Sequence, residues 1–428
     1  MSERGGAEAG PGGLASALVE KGALSSDWLA AYEAVPRHLF VPDRLWPGRA
    51  SGVGQGECVD RRSDPDLWWR KVYADIPLTT QWDDGAYAGD GKGRAPTSSN
   101  SMPRMVFSML AALGVEDGDR VLEVGTGTGW NAALLAHRLG SERVVTVEVD
   151  AAVAEEARRR LAASGLAPWS VVGDGATGHP ERAPYDRVIA TCSIGSLPYA
   201  WVEQCRPGGV VVAPWGPPYG GQGIARLVVA EDGTASGAFV MPSAFMRMRD
   251  QREAVPSRRA YLGDAEWPAG GREGVSCLSP DDMGDWIHMF TIGVQVPDLF
   301  CRPEWGEDGA YRLWLFDRAA TSWATADFEK GRTRYAIVQS GPRRLWEEVE
   351  AVMEWWKENG EPGFDRYGLT VSRQGQRVWL DEPGHAVPVR LPPPPPGLSR
   401  RPCRSLVHDQ GRAGCAGGDS SGEFRDRG

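Results

Sequence analysis

The sequence predicts an α/β fold: a doubly wound sheet of mostly parallel strands that closes on an antiparallel hairpin, followed by a smaller α+β unit. Three observations carry this. From residue 119 onward, apolar runs ending in glycine or an acidic residue alternate with amphipathic helical stretches. The run 119–130, DRVLEVGTGTGW, joins a strand to a glycine loop and a helix start. The β-rich runs 224–231 and 235–241 are separated only by Asp232-Gly233-Thr234, a hairpin that a purely parallel sheet does not contain.

The glycine loop comes first. Val121, Leu122 and Val124 read as a buried strand, and Gly125, Gly127 and Gly129 let backbone approach a ligand where a β-carbon would collide. A helix over 131–139 puts Ala132, Leu135, Ala136 and Leu139 on one face. The next apolar run, 144–149, carries Glu148 at its end, about 20 residues past the loop, where an acid can accept both hydroxyl hydrogens of a ribose. A glycine loop alone ends many strands for steric reasons. With Glu148, and with Asp174 in Val172-Gly173-Asp174-Gly175 at the end of a third run, the strand ends describe a cradle for a nucleoside.

The remaining sheet elements follow in order: helix 151–164, strand 185–191, helix 197–206 and strand 208–213. Ahead of the sheet, residues 1–13 lack periodicity and are expected to be disordered. Short helices are expected over 14–21 and 28–35, the second capped by Ser26 or Asp27. The phrase VPRHLFVP (35–42) is held extended by its two prolines, and 47–66 reads as a loop. A polar stretch over 81–97 precedes a helix that starts near Pro103, with Ser101 placed to cap it.

Composition narrows the function classes. At 428 residues the chain exceeds one ordinary core, so two domains are expected. The 41% hydrophobic and 24% charged fractions are those of a soluble globular protein, no apolar run has membrane-span length, and the first residues hold no signal core, so a cytoplasmic location is expected. Seven cysteines without a CxxC pair and six dispersed histidines predict no metal. A net charge of −10 would repel DNA or RNA, and no nucleic-acid or membrane partner is expected; an anionic substrate would need local arginines. The oligomeric state is left open.

A parallel sheet ending in such a hairpin is the seven-stranded, Rossmann-like arrangement of S-adenosylmethionine-dependent methyltransferases. Within that class the chain resembles protein-L-isoaspartate O-methyltransferases: VPRHLFVP, DIPL, Ser101-Met102-Pro103, VLEVGTGTGW, VVGDG, APYDRVIAT and RPGGVVVAPWG occur in the family's order over residues 15–245. The resemblance implies S-adenosyl-L-methionine as cofactor, with Gly125, Thr126, Gly127 and Gly129 near its methionine part, Glu148 at the ribose, and Asp174 and Gly175 at the adenine side. It places Ser101 beside the transferred methyl and the accepting carboxylate, and matches Thr191 to a substrate position and Gln222 to a cofactor position at later strand ends. The implied partner is a peptide or protein carrying an Asp or isoaspartyl carboxylate. That carboxylate is already a nucleophile, so methyl transfer needs alignment and water exclusion rather than a strong base.

Two departures stand out. The family's G-Q-T-I-S-x-P is here Thr97-Ser98-Ser99-Asn100-Ser101-Met102-Pro103, and T-A-A after the fourth strand is Thr191-Cys192-Ser193. The chain also continues: 246–260 holds Arg247 and Arg249, candidate substrate ligands in what otherwise reads as a solvated linker. Strands over 310–316, 323–328 and 333–340, a helix over 342–357 and strands over 367–372 and 376–381 predict an α+β recognition or accessory domain spanning 246–390, after a catalytic domain over 14–245. The proline-rich tail 391–428 is expected to be disordered. An added domain suggests a dedicated substrate, as in a related group acting on ribosomally made, post-translationally modified peptides, where methylation leads to aspartimide or isoaspartate; general repair is the alternative. A NAD-dependent oxidoreductase would share the loop and the ribose acid but not the Gly173-Asp174-Gly175 strand end or the hairpin. A non-catalytic peptide-binding protein is the third reading.

Overall fold

The computed structural model describes residues 10–49, 54–268 and 270–390. Two helices, α1 (Pro11–Glu20) and α2 (Ser26–Ala34), form the N-terminal cover, burying Leu14, Leu18, Trp28 and Ala31. Helix α1 starts three residues inside the stretch expected to be disordered, because Pro11 suits a first turn whose N–H groups lack helical partners. The N-cap of α2 is Ser25, neither of the residues expected. Residues 1–9 and the tail 391–428 lie outside the described residues.

A four-stranded antiparallel sheet follows, where the composition suggested loops. It comprises β1 (Arg44–Pro47), β2 (Val59–Asp60), β3 (Leu78–Trp82) and β4 (Pro96–Asn100), ordered β2-β1-β3-β4, with α3 (Pro65–Val72) between β2 and β3 in the chain. These strands are too short and polar to show an alternating pattern. Trp46 and Trp82, meeting edge to face with centroids 5.9 Å apart, give the sheet its apolar contact. Helix α4 (Pro103–Leu113) then begins at a proline and stops at Gly114, whose φ of 59° suits a helix end. Its N-cap is Met102, which makes no side-chain cap bond, and the Arg104 N–H of the first turn donates instead to Asp75 Oδ1 at 2.9 Å, so Ser101 is not the cap that the sequence suggested.

The main sheet is built from β5 (Val121–Val124), α5 (Trp130–Leu139), β6 (Val144–Glu148), α6 (Ala151–Ala163), β7 (Trp169–Val172), β8 (Tyr185–Ala190), α7 (Tyr199–Glu203), β9 (Cys205–Trp215), β10 (Gln222–Val229) and β11 (Ala235–Ser243). Strands β7, β6, β5, β8 and β9 pair in parallel, and β9, β10 and β11 antiparallel. Strand β9 takes residues expected in the preceding helix, which shortens to five residues. Layers of apolar side chains cover both faces: α4 and α5 pack Leu110, Leu113 and Leu135 on one, while Trp201 and Val202 of α7 lie on the other.

Beyond β11 come α8 (Arg258–Leu262), β12 (Arg272–Ser276), α9 (Pro280–Gly284), α10 (Trp286–Gln295), β13 (Leu299–Trp305), β14 (Tyr311–Asp317), β15 (Trp323–Phe328), β16 (Tyr335–Ser340), α11 (Leu345–Glu358), β17 (Tyr367–Ser372) and β18 (Gly375–Leu380). Strands β12 to β16 form a separate five-stranded antiparallel sheet, two strands more than expected there. The final hairpin corrects the expectation further. Strand β17 pairs with β11, Ala235 opposite Val371, so the main sheet has nine strands in the order β18-β17-β11-β10-β9-β8-β5-β6-β7. The seven expected strands are its contiguous core, and the boundary placed at 245/246 does not separate the sheets. An exposed β11 edge would leave a row of unpaired N–H and C=O groups, which β17 satisfies. Helix α10 binds the two parts: Phe290 packs on Phe239 and Trp215, with centroids 5.0 and 5.8 Å away. Most C-terminal tryptophans are core, Trp314 and Trp346 among them, whereas Trp305 is exposed.

Candidate active site

After β5 the chain winds outward through β6 and β7, then returns to place β8 on the other side of β5. Such a reversal opens a crevice at the carboxyl ends of the strands. Here it holds a cavity of about 870 Å³ lined by Gly125, Thr126, Gly127, Glu148, Asp174 and Gly175. Ser101, Thr191, Gln222, Arg247 and Arg249 line the same cavity, so eleven of the twelve site residues read from the sequence converge.

The exception is Gly129. It is the N-cap of α5, with φ 91°, and a β-carbon there would lie 3.3 Å from Ala157, so it sets the spacing of α5 against α6 rather than meeting a ligand. Gly125 and Gly127 also have positive φ, 94° and 53°. Their backbone edge is kept bare, and the Gly127 N–H donates to Glu148 Oε2 at 2.9 Å, while Glu148 Oε1 accepts from Asp150 N at 3.1 Å. The carboxylate is therefore held at the mouth of the loop. Asp174 accepts from Ala176 N at 2.8 Å through Oδ1. Gly175 presses on β5, where a β-carbon would stand 2.4 Å from the Val124 side chain.

Two predicted ligands are committed to the protein itself. The Gln222 amide is closed on Phe245, donating to its carbonyl at 3.1 Å and accepting from its N–H at 2.9 Å. The Thr191 hydroxyl donates to the Gly125 carbonyl. Both fix the walls: Thr191 ties β8 to the glycine loop, and Gln222 anchors the strap that follows β11. That strap is not the solvated linker that its charge suggested. Backbone bonds of 2.8 Å link Ser193 N to Met246 O and Met248 N to Ser193 O. Arg249 reaches Asp84 at 3.0 Å and Asp150 at 3.2 Å, and Arg252 reaches Asp84 at 2.9 Å, closing the strap over the cavity. Burial alone would raise the Asp150 carboxyl, but hydrogen bonds from Val153 N, Gln81 and Arg249 outweigh it and hold it below the usual range. Arg247 donates to Gly216 O at 2.9 Å and Pro217 O at 3.3 Å, and burial lowers its pKa.

Sequence reasoning missed Arg37, inside VPRHLFVP. It is 1% exposed. Its guanidinium makes six hydrogen bonds, to Asn100 Oδ1 and to the carbonyls of Val72, Ala74, Ile76, Asn100 and Ser101. Asn100 in turn donates to Thr128 Oγ1 at 2.9 Å. The chain from cover to glycine loop thus passes through one cation, whose only signal was a charge between apolar residues. The Ser101 hydroxyl has no hydrogen-bond partner among the described residues, so it is free to meet a ligand. At Cys192, altered from the expected pattern, burial pushes the thiol up to about 12, which favours the protonated form.

Glu123, fully buried in β5 beneath the loop, accepts from Asn131 Nδ2 at 2.7 Å and from Thr146 Oγ1 at 2.5 Å. Burial raises its pKa from 4.5 to about 7, against the pull of those bonds and with the help of the Glu148 charge. The folded chain thus binds this proton more tightly than the unfolded chain, so stability falls as pH rises from about 4.5 to about 7. Glu123→Gln is expected to raise the thermal midpoint at about pH 8 and much less at about pH 5, with a ceiling of about 3 kcal/mol. An equal gain at both pH values would show that the buried charge is not the cause.

A seven-stranded order closed by a hairpin, with a nucleoside cradle at the switch point, is the arrangement of S-adenosylmethionine-dependent methyltransferases. The family model of protein-L-isoaspartate(D-aspartate) O-methyltransferase matches residues 57–253. The protein-L-isoaspartate O-methyltransferase of Methylorubrum extorquens (strain PA1) is 39% identical over 210 residues, 49% of this chain and 75% of that one. That of Ignicoccus hospitalis is 38% identical over 237 residues, 55% of this chain and 94% of the relative. A solved protein-L-isoaspartate O-methyltransferase aligns at 21% identity with a TM-score of 0.48, over 87% of this chain and 100% of that one. The chain belongs to the protein-L-isoaspartate O-methyltransferase family, whose members are S-adenosylmethionine-dependent carboxyl methyltransferases. Among the described residues no helix is long and apolar enough to cross a membrane.

Proposed function

We propose that this chain methylates an aspartyl side-chain carboxylate in a dedicated peptide, leading to aspartimide or isoaspartate. The observation that carries the reading is Trp286. It opens α10, beyond the stretch matched by the family model, yet it lines the cavity and donates to Gln222 O at 2.9 Å and Ser243 O at 3.1 Å. The added region therefore contributes to the wall of the site itself.

The cradle fits S-adenosyl-L-methionine: Gly125 and Gly127 present bare backbone, and Glu148 stands where a ribose would be held. When bound, the cofactor would supply an electrophilic methyl on a sulfonium sulfur, for which the carboxylate oxygen held by this site is the acceptor. Ser101 orients the accepting carboxylate by donating its hydroxyl, Arg247 holds the negative charge of the approaching peptide, and Arg249, paired with Asp84 and Asp150, keeps the strap in place beside it. The strap of residues 245–252, pinned to Asp84 and Asp150, keeps water out. In the resulting ester, the next backbone nitrogen attacks the carbonyl carbon, and its proton leaves with methoxide as methanol.

Ser101→Ala is expected to lower kcat by roughly tenfold or more, with affinity for S-adenosylhomocysteine and thermal midpoint nearly unchanged, since Ser101 caps no helix. Wild-type turnover in that variant would remove Ser101 from the mechanism.

A second reading, general repair of isoaspartyl residues, is favoured by the cavity's thioether walls. Met102, Met105, Met109, Met246 and Met248 line it, and such side chains adapt to varied partners. Labelled cofactor offered with generic isoaspartyl peptides and with peptides carrying ordinary Asp separates the two. Methylation of the isoaspartyl set alone would overturn the dedicated-substrate reading.

A further inference from the structure

A second cavity, of about 640 Å³, lies on the far side of the strap, between the main sheet and the C-terminal region. Its walls are apolar at Trp215, Pro217, Val294 and Val378, and four arginines reach it: Arg247, Arg252, Arg318 and Arg377. Two acids, Asp250 and Glu253, also line it. In a chain of net charge −10 this is a local excess of positive charge.

Arg318 is paired with Glu253 at 2.7 Å, and Arg252 with Asp84, outside this cavity, at 2.9 Å. Arg377 is exposed and, among the described residues, donates only to the Pro383 carbonyl, at 3.3 Å. Arg247 lines both cavities, and its Nη1 is buried with no hydrogen-bond partner among the described residues. A buried guanidinium N–H without an acceptor is costly. A carboxylate entering from either side would satisfy it in a charge-assisted bond.

We propose that this second cavity is a subsite for a second carboxylate of the peptide substrate, carried near the acceptor Asp and flanked by apolar side chains that rest on Trp215 and Val294. This rests on the peptide-methylation reading above, and it specifies that the peptide is acidic outside the acceptor position. Adjacency supports it: Arg247, Asp250 and Arg252 line both cavities, so a peptide held at the first lies across one strap from the second. Charge supports it as well, because Arg377 has no acidic partner among the described residues.

The test uses the full chain with S-adenosylmethionine and pairs of peptides holding the same acceptor. In each pair a nearby Glu is present or replaced by Gln, and its position is stepped along the peptide. At the matching position the Glu peptide is expected to show a KM about tenfold below its Gln partner. Arg377→Glu, an exposed change away from the cradle, is expected to abolish that preference while leaving turnover of the Gln peptide unaltered. Equal KM values within every pair, in an enzyme that methylates both members, would overturn the subsite and leave the proposed function standing. Failure to methylate any peptide, acidic or neutral, would overturn the proposed function and the subsite with it. A preference for Glu that survives in Arg377→Glu, in Arg318→Glu and in Arg247→Gln would place the second carboxylate elsewhere and overturn the assignment.

Discussion

Gly127→Val is expected to abolish binding of S-adenosylhomocysteine. Gly127 has φ 53°, a conformation that a β-branched residue adopts only under strain, and a β-carbon there would stand 3.3 Å from the Ser99 carbonyl. The valine would fill part of the cavity between the glycine loop and β4, the proposed place of the cofactor, and would disturb the N–H that Gly127 gives to Glu148. The strain costs about 1–3 kcal/mol, which a sheet buried on both faces can absorb, so the variant should still melt cooperatively. Isothermal titration with wild type and variant decides it. Unchanged affinity in a folded Gly127→Val protein would mean that the loop does not carry the cofactor.

Arg37→Met is expected to cost about 3–5 kcal/mol of stability, because removing the guanidinium leaves its buried acceptors without a donor. Three of those acceptors, the carbonyls of Val72, Ala74 and Ile76, close the chain ahead of β3, and the Ser101 carbonyl fixes the residue proposed to orient the accepting carboxylate. The thermal midpoint should fall by roughly 10 °C or more. Turnover of the surviving folded protein should fall too, since Ser101 would lose its position. Arg37→Lys should recover little, because an ammonium cannot span six acceptors held in a planar fork. A midpoint within about 2 °C of wild type would show that the network is dispensable.

These two residues show what the sequence can and cannot disclose. The path from β5 through the loop to α5 is written locally: Val121, Leu122 and Val124, three glycines, then a helical face, all within twenty residues. Glu148 and Asp174 were legible because strand ends in a doubly wound sheet point at one crevice. The hidden parts depend on distant partners. Arg37 has nothing beside it in VPRHLFVP to show that Val72, Ala74 and Ile76 fold around it. Gln222 and Thr191 stand at the predicted strand ends, yet their polar groups are used by Phe245 and Gly125. The strap's arginines read as solvated because Asp84 and Asp150, which bind them, lie far off in sequence. Strands β1 to β4 carry too few apolar residues to announce themselves, and nothing in 367–381 says that its hydrogen bonds belong to β11.

The pairing of β17 with β11 sets the order in which this protein can be made. Ser236 and Thr370, whose hydroxyls meet at 2.7 Å, are 134 residues apart, so β11 emerges during synthesis long before its neighbour exists. Through that interval the nascent sheet presents an open edge to other chains, and closing so long a loop slows the final step. A protein shortened before residue 367 would keep that edge for good. Its expected fate is self-association rather than a soluble catalytic core, and slow synthesis at low temperature should favour recovery of the full chain.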